Sequence, residues 1–446
     1  MAGISNIGAE AQKVNSVKTE KEAFFCTTKE LSGLGLEQIP TQFQSHKHLI
    51  YSSPATLAFN SPGAEGFGVK RAGLAVPDSI MLIVAPGCCG RNTSLISSMK
   101  EYNDRFYYLM MDETDIVTGR HLKKIPKAVE EICSVCPKKP SVVMICITCV
   151  DALLGTDMER VCKKAEERVE IPVRPCYMYA LTREGRKPPM VHVRQSLYSL
   201  LEPGKKKGNV VNLLGFFSPL VDDCEIYDLL HSAGVKTIHE ISRCKDYMEY
   251  QTMSEANFNL VLHHEARFAA ENFHNRLQIP FIELRRLYQI DKIENQYHAL
   301  GNALGVTFHD EKYKKQAENA LEKFRKKCPD ASFAIGECLN ADPFELALAL
   351  IRYGFSVPEI YGTITVENFT YIRSLAKISP ETKVFSNMEP TMIYYDPAKS
   401  DVNLAIGKDA CYYHPDCPYV MWNGEEQPYG YAGVRRLFEQ LLEVVQ

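Results

Sequence analysis

Short runs of consecutive apolar residues alternate along this chain with longer segments in which apolar positions recur every three or four residues. The short runs are apolar throughout, which is typical of strands that helices cover on both faces. They predict seven strands, over residues 79–85, 106–112, 141–147, 209–215, 258–264, 332–337 and 402–407. Helices are predicted between them, including 157–169, 224–234, 292–305 and 314–328. This alternation predicts an α/β protein built from parallel sheets.

Two polar joints interrupt the alternation and predict domain boundaries. The segment LEPGKKKG (201–208) combines a Pro-Gly turn with three lysines, and Pro329-Asp330 separates a helix from the next strand. We therefore expect three α/β domains, over residues 24–203, 207–328 and 329–446. Residues 1–23 are polar and have no apolar core, so they predict an N-terminal arm and not a secretion signal.

Net charge, apolar content and cysteine count argue against three classes of protein: nucleic-acid-binding, membrane-spanning and disulfide-rich. A formal net charge of −4 over 446 residues gives no electrostatic reason to expect nucleic acid. No apolar stretch approaches the roughly 20 residues of a membrane span, so we expect a cytoplasmic protein. The 15 cysteines are unusual, and an odd number in a long chain without an export signal disfavours a disulfide framework. Reduced thiols in an ordinary cytosol and iron–sulfur chemistry both account for them.

Two cysteine-bearing loops follow predicted strands. The loop APGCCGR after strand 79–85 carries Cys88 and Cys89, and the loop TCVDALLGTD after strand 141–147 carries Cys149. Ligands of open α/β sheets bind at the carboxyl ends of the strands. A free cysteine is usually a buried apolar residue, yet this position favours a ligand role for Cys89 and Cys149. Cys88 is ambiguous, because neighbouring side chains of extended backbone point to opposite faces.

Thiolates at these positions suit an iron–sulfur cluster. Gly87 and Gly90 let the backbone approach a bulky group, and Arg91 is either a basic neighbour of that anionic group or an ordinary solvated arginine. A [4Fe–4S] cluster takes four thiolates, whereas one chain offers two good ones. Because a two-fold interface presents the same surface twice, two chains offer four. This count predicts a cluster shared between two subunits.

Two further features bear on the chemistry. His263 ends the predicted strand 258–264, where an imidazole of near-neutral pKa suits proton transfer, although a structural histidine is the more common alternative. Neither a GxxxxGK[ST] loop nor a GxGxxG loop follows a predicted strand. If electron delivery needs nucleotide hydrolysis, another protein must carry it out.

The segments PGCCGR (86–91) and ITCVDALLGTDMERV (147–161), in this order and distance, resemble the cysteine loops of nitrogenase component 1 and its relatives. Weaker similarities lie at 111–132, 279–284 and 427–438. The doubled cysteine is more similar to the nitrogenase-like reductive cyclase of coenzyme F430 synthesis than to nitrogenase itself. The resemblance implies three Rossmann-like domains, cluster ligands Cys89 and Cys149 with Cys88 as substitute or neighbour, a dimer or tetramer of component 1 chains, and an ATP-hydrolysing iron protein as electron donor.

The chain also departs from the family pattern. The position of a further cluster cysteine falls near residues 61–63, which favours a [4Fe–4S] cluster over an eight-iron one, and Cys26 is a distant substitute. The ligands of nitrogenase's catalytic metal cluster fall at about His263 and near Met421 or Trp422. Reduction of dinitrogen is therefore not expected.

The resulting hypothesis is the catalytic component of a nitrogenase-like reductase. Electrons would pass from the iron protein through the subunit-bridging cluster to a substrate between the domains, with His263 orienting the substrate or supplying protons. The assembly would be a homodimer or a heterodimer with a paralogue. The alternative is a scaffold for metallocluster assembly that does not turn over.

Overall fold

The structure is a computed structural model that describes residues 22–44, 55, 68–87, 100–177 and 187–445. Within these ranges the chain forms three parallel-stranded α/β layers of the Rossmann-like kind, which confirms the predicted fold class. The strands that it describes are β1 (Phe25–Thr27), β2 (Ile80–Ala85), β3 (Phe106–Met110), β4 (Val143–Ile147), β5 (Val173–Tyr177), β6 (Lys207–Leu214), β7 (Thr237–His239), β8 (Ala256–Val261), β9 (Phe281–Glu283), β10 (Ser332–Ile335), β11 (Ser356–Tyr361), β12 (Lys383–Phe385), β13 (Leu404–Ile406) and β14 (Tyr419–Val420).

Helices alternate with these strands. They are α1 (Thr28–Leu34), α2 (Val69–Gly73), α3 (Glu113–Thr118), α4 (His121–Val135), α5 (Cys149–Leu154), α6 (Met158–Val169), α7 (Pro189–Tyr198), α8 (Glu225–Ser232), α9 (Tyr247–Gln251), α10 (Arg267–Leu277), α11 (Ile290–Leu304), α12 (Glu311–Lys327), α13 (Pro343–Arg352), α14 (Phe369–Ile378), α15 (Lys408–Tyr413) and α16 (Gly430–Val444). None of the helices in the described ranges is long and apolar enough to cross a membrane.

The first sheet, in the order β3-β2-β4-β5, carries the region of the two cysteine loops. Its central strands β2 and β4 are buried over their whole length, and their side chains alternate between two apolar cores. Helices α4 and α6 cover one face, and helices α2 and α7 cover the other. Burial on both faces explains why these two strands were recognisable as continuous apolar runs.

The strand β3 differs from its prediction. The apolar run 106–112 predicts a strand buried on both faces, but β3 lies at the edge of the sheet. Its side chains Tyr108 and Met110 are 38% and 64% exposed. Phe106, Tyr107 and Leu109 pack partly against the two cores, so this edge strand is half-buried and not buried on both faces.

The second sheet, in the order β7-β6-β8-β9, is parallel throughout its described pairings. Apolar side chains of β6 and β8 belong to the same core as one face of the first sheet. Asn212 of β6 donates to Asn259 of β8 across 2.7 Å, and both side chains are fully buried. This hydrogen bond pairs two polar groups that would be costly to bury alone.

The third sheet, in the order β1-β12-β11-β10-β13-β14, contains the N-terminal strand. β1 pairs with β12 in antiparallel fashion, with Cys26 opposite Val384. The structure thus places this strand in the third sheet, while the predicted cluster-binding domain over residues 24–203 stays a prediction. β1 is the edge strand of this sheet, and it completes its backbone hydrogen bonds on β12, whose Val384 lies 358 residues after Cys26 in the chain; no local pattern specifies that pairing.

The described chain divides into two compact units. One contains the first two sheets, within residues 60–324 and 424–439, and the other contains the third sheet, within residues 1–59, 325–423 and 440–446. The start of α16 thus belongs to the first unit, because the buried carboxylate of Glu225 accepts hydrogen bonds from the backbone of Tyr431 and Ala432 and from the hydroxyl of Tyr297. The three-domain boundaries themselves stay a prediction.

Helix α10 offers a matched test of this packing. Phe273 is fully buried in the core shared by the first two sheets, whereas Phe268 on the same helix is 44% exposed. Phe273→Ala is expected to lower the free energy of unfolding by about 3–5 kcal/mol, because it leaves a cavity. Phe268→Ala is expected to change it by less than about 1 kcal/mol. Urea unfolding of both variants measures the difference, and equal effects would contradict the assignment of this core.

Candidate functional site

The two cysteine loops leave the first sheet from neighbouring strand ends. β2 and β4 are adjacent and parallel, and their last paired residues are Val84 and Ile147. Two in-register parallel strands end at the same edge of a sheet. Gly87 follows the first strand by two residues, and Cys149 follows the second by two residues as the first residue of α5. The tertiary structure therefore brings the backbone of both loops to one edge.

Four of the predicted site residues, Cys88, Cys89, Gly90 and Arg91, lie outside the described residues, and their roles stay predictions. Gly87 is exposed, and among the described residues a side chain placed on it would approach nothing nearer than the terminal methyl of Met110, at 4.0 Å. The hydroxyl of Tyr108 donates to the carbonyl oxygens of Ala85, at 3.0 Å, and of Pro86. The end of β2 is thus fixed, and open space lies beside Gly87.

A buried, unpaired hydroxyl tests whether this edge suits an iron–sulfur cluster. Thr148 directly precedes Cys149, is 1% exposed, and its Oγ1 makes no hydrogen bond to any residue that the structure describes. A hydroxyl can donate to a thiolate or sulfide sulfur, and such hydrogen bonds tune cluster potentials. The donor chemistry beside Cys149 and the open approach at Gly87 fit an anionic, thiolate-bound cluster.

Large apolar side chains are exposed on the elements around the same edge. They belong to β3, α3 and α5, the elements that end or begin beside the two loops. The exposed side chains are Tyr108, Met110, Val117, Leu153 and Leu154, and Val117 is 85% and Leu153 69% accessible. Apolar side chains grouped in this way are typical of a surface that another protein covers.

The second sheet has a crevice at its own carboxyl edge. β7 lies on one side of β6, and the next strand in the chain, β8, lies on the other side. The carboxyl ends of β6 and β8 therefore form a topological switch point. The predicted strand 258–264 includes His263. In the structure β8 ends at Val261, so His263 lies two residues beyond the strand. Gly215, after β6, has φ +142°, and a Cβ there would lie 2.8 Å from the backbone nitrogen of His263. Glycine is required where these two loops approach.

His263 is held as a neutral imidazole. Its Nδ1 accepts a hydrogen bond from the backbone N–H of Glu265 at 3.4 Å, so its Nε2 carries the proton. Burial, together with the positive charge of Arg194 and the neighbouring His264 and Arg286, holds the pKa of His263 well below its ordinary value. The sequence-based expectation of a near-neutral pKa is therefore corrected: the ring is a hydrogen-bond donor at neutral pH.

Two arginines shape this crevice, and Arg194 was not recognised from sequence. Its buried guanidinium donates twice to the carbonyl oxygen of Gly215, at 2.6 and 3.1 Å, and once to Glu265 at 2.8 Å. Arg286 lies over the ring of Phe216, with its guanidinium carbon 4.4 Å from the ring centre. Nη2 of Arg286 donates to the side-chain oxygen of Gln427 at 2.6 Å, while the buried Nε of Arg286 and Oγ of Ser218 have no hydrogen-bond partner among the described residues. The signal for Arg194 was an arginine on the apolar face of a helix.

Helix α7 contacts both edges. Its His192 packs edge-on against Tyr177 at the end of β5, with ring centres 4.3 Å apart, while Arg194 reaches the crevice beside β6. A cavity of about 330 Å³ lies on the His192 side. Its lining residues are Thr156, Asp157, Met158, Tyr177, Lys187, Pro189 and His192. One helix therefore contacts both the edge that carries Cys149 and the edge that carries His263.

The third sheet carries buried carboxylates at its carboxyl edge. Asp409 accepts hydrogen bonds from the backbone N–H groups of Glu337 and Cys338 at 2.7 and 3.0 Å. Burial raises the pKa of both carboxyls, and the pKa of Glu337 rises further through the charge of Asp409. Trp422, which follows β14, is buried with φ +46°, while Met421 is 45% exposed. Sequence reasoning did not single out this carboxylate pair.

The comparison with known proteins agrees with the sheets and loops described above. Residues 65–446 match the family model described as nitrogenase component 1 type oxidoreductase. This chain belongs to that family. The predicted resemblance is thereby confirmed.

Curated relatives and solved structures give the same result for this component 1 family member. The nitrogenase iron-molybdenum cofactor biosynthesis protein NifE of Sinorhizobium fredii is 24% identical over 87% of this chain and 82% of its own length. The protein of the same name from Nostoc is 25% identical over 60% of this chain and 58% of its own length. The solved structure "Nitrogenase Cp1 at pH 6.5" superposes with a TM-score of 0.68 at 18% identity, over 89% of this chain and 92% of that one. That likeness shows the fold.

The histidine of α7 predicts a pH dependence of stability. Burial, and then the charge of Lys187, lowers the pKa of His192 to about 4. Between pH 6.5 and about 4 the unfolded chain binds a proton at this residue and the folded chain does not, so stability falls as the pH falls through this range. His192→Gln is expected to flatten that slope in urea unfolding, whereas replacement of the exposed His298 by Gln is not. A slope that His192→Gln leaves unchanged would contradict the prediction.

Proposed function

We propose that this chain is the catalytic component of a nitrogenase-like reductase that binds a [4Fe–4S] cluster together with a second subunit. The observation that carries the proposal is the in-register pairing of β2 and β4, from whose ends both cysteine loops emerge. Membership of the component 1 family supports it, because this pair of loops carries the resemblance.

The ligands of the cluster would be Cys89 and Cys149 of each subunit, with Cys88 as neighbour or substitute. A bound [4Fe–4S] cluster supplies one-electron transfer. Gly87 and Gly90 would let the backbone approach the cluster, Arg91 would add positive charge, and the hydroxyl of Thr148 would be a hydrogen-bond donor beside it. The exposed apolar side chains of β3, α3 and α5 would be covered by the second subunit, either an identical chain or a paralogue.

The substrate would bind at the crevice of the second sheet. His263 presents Nε2–H as a donor and so orients an acceptor atom of the substrate. The guanidinium of Arg286, stacked on Phe216, supplies positive charge and an unpaired N–H for an anionic group. Electrons would come from an ATP-hydrolysing iron protein. Dinitrogen is not an expected substrate, because neither His263 nor the Met421–Trp422 region provides the family's cluster ligands.

A second function is favoured by the names of the curated relatives. The NifE proteins of Sinorhizobium fredii and Nostoc, at 24% and 25% identity, are described as cofactor biosynthesis proteins. A scaffold that binds a metallocluster during assembly would use the same cysteine loops and the same two-subunit arrangement. It would release its metallocluster to another protein and would not turn over.

The cluster assignment predicts a specific loss. After anaerobic purification, Cys149→Ala is expected to reduce bound iron to background and to abolish the EPR signal of the reduced cluster, because one of the thiolate ligands is missing. Cys162→Ala is the matched control and is expected to keep its iron, since Cys162 is a residue of α6 that is 2% exposed and packs in the apolar core. Iron-free wild-type protein, or a Cys149→Ala spectrum equal to that of the wild type, would refute the assignment.

Turnover separates the two functions. The reductase is expected to reduce a candidate substrate only when an iron protein and ATP are both present, and His263→Ala is expected to lower kcat/KM by roughly 10²- to 10³-fold if the ring contacts the reacting group. Product formation under these conditions favours the reductase. Transfer of iron from the loaded protein to an apo-acceptor, without product, favours the scaffold. His264→Ala, which alters the exposed neighbouring ring, is the control for local packing.

A further inference from the structure

A buried histidine lies behind the loop that carries Cys149. His121 is the first residue of α4 and is 1% exposed. Its Nδ1 lies 3.0 Å from the carbonyl oxygen of Asp115, and its Nε2 lies 2.9 Å from Oδ1 of Asp151. Asp151 is the third residue of α5 and is also 1% exposed. The histidine thus connects α4 to the short helix that Cys149 begins.

The hydrogen-bond pattern fixes the orientation of the Asp151 carboxylate. A carbonyl oxygen can only accept, so Nδ1 of His121 carries a hydrogen, and Nε2 is hydrogen-bonded to Oδ1 of Asp151. The hydroxyl of Thr156 lies 3.0 Å from the same Oδ1, and the backbone N–H of Thr156 donates to the Asp151 carbonyl at 3.1 Å. Two side chains on different elements therefore converge on one carboxylate oxygen.

The side chains of α5 that the structure describes pack against the core only in part. It has six residues, and its Leu153 and Leu154 side chains are 69% and 48% exposed. Val150 packs partly against the core under α4 and α6. Because an isolated helix of this length is unstable in water, its position depends on the buried contact between Asp151 and His121.

We propose that His121 is a positioning residue which, by holding the Asp151 carboxylate, fixes the first turn of α5 and thereby the backbone that presents Cys149 to the cluster. This inference rests on the proposed function in that Cys149 is taken as a ligand. The contact itself is independent of any bound group. It links α4 to the cysteine loop across 30 residues of sequence.

Two isosteric substitutions separate the two ring nitrogens. The amide nitrogen of His121→Gln takes the place of Nε2 and keeps a donor for Asp151, whereas that of His121→Asn takes the place of Nδ1 and keeps the Asp115 contact alone. In metal-free protein, His121→Asn is expected to speed hydrogen–deuterium exchange of residues 149–156 by at least about tenfold, because local opening no longer breaks the buried contact. His121→Gln is expected to restore most of the protection.

Two further variants control for general loosening of the fold. His239 is a buried histidine of β7, with Nε2 3.2 Å from the hydroxyl of Thr252, so His239→Asn is expected to leave exchange at 149–156 unchanged. Thr156→Val removes the second donor to the same Oδ1 and is expected to raise exchange there, which keeps the test available if His121→Asn does not fold. The proposal would be overturned if residues 149–156 exchanged at the wild-type rate in His121→Asn or in Thr156→Val. It would also be overturned if His121→Asn and His121→Gln sped their exchange equally.

Spectroscopy of the loaded protein distinguishes this inference from the proposed function. In anaerobically purified protein, His121→Asn is expected to shift or broaden the EPR signal of the reduced cluster, and His121→Gln to retain it. An iron-containing wild type whose spectrum is the same in both variants would overturn the positioning role while the proposed function stands. An iron-free wild type would refute the cluster, and the exchange result alone would then decide whether His121 holds the loop.

Discussion

Parallel pairing of β2 with β4 is the constraint on which the candidate site depends. Parallel strands run in the same direction, so the loops that follow them leave the sheet at the same edge. The pairing of Val84 with Ile147 puts the loops after the two strands side by side, although Gly87 and Cys149 are 62 residues apart in the chain. The hydroxyl of Tyr108 and the His121–Asp151 contact then hold the two loop backbones at this edge.

Helix α7 extends this arrangement to the second sheet. Its Arg194 holds the carbonyl of Gly215 and the carboxylate of Glu265, which follow β6 and β8. Burial is the main cause of the low pKa of His263, and the positive charge of Arg194 lowers that pKa further. Arg194 therefore both holds the two loops of the crevice and contributes positive charge beside His263.

The comparisons assign this chain to the nitrogenase component 1 family, and they do not assign a role to any of its side chains. A TM-score of 0.68 at 18% identity to a nitrogenase structure shows that the same fold persists while most residues differ. Function resides in the side chains placed on a fold and not in the fold itself. The side chains that our proposal assigns to function are His263, Arg286 and the loop of Cys149.

The sequence alone determined the α/β class, the approximate position of seven strands within apolar runs of six or seven residues, and the position of both cysteine loops after strands, because periodicity and loop composition are local properties. It did not determine the short strands such as β1 and β14, whose two or three residues carry no period. It also did not determine the contact of His121 with Asp151, the role of Arg194 or the low pKa of His263. Each of these depends on groups distant in sequence, and only tertiary packing brings them within hydrogen-bonding or Coulombic range and excludes water around them.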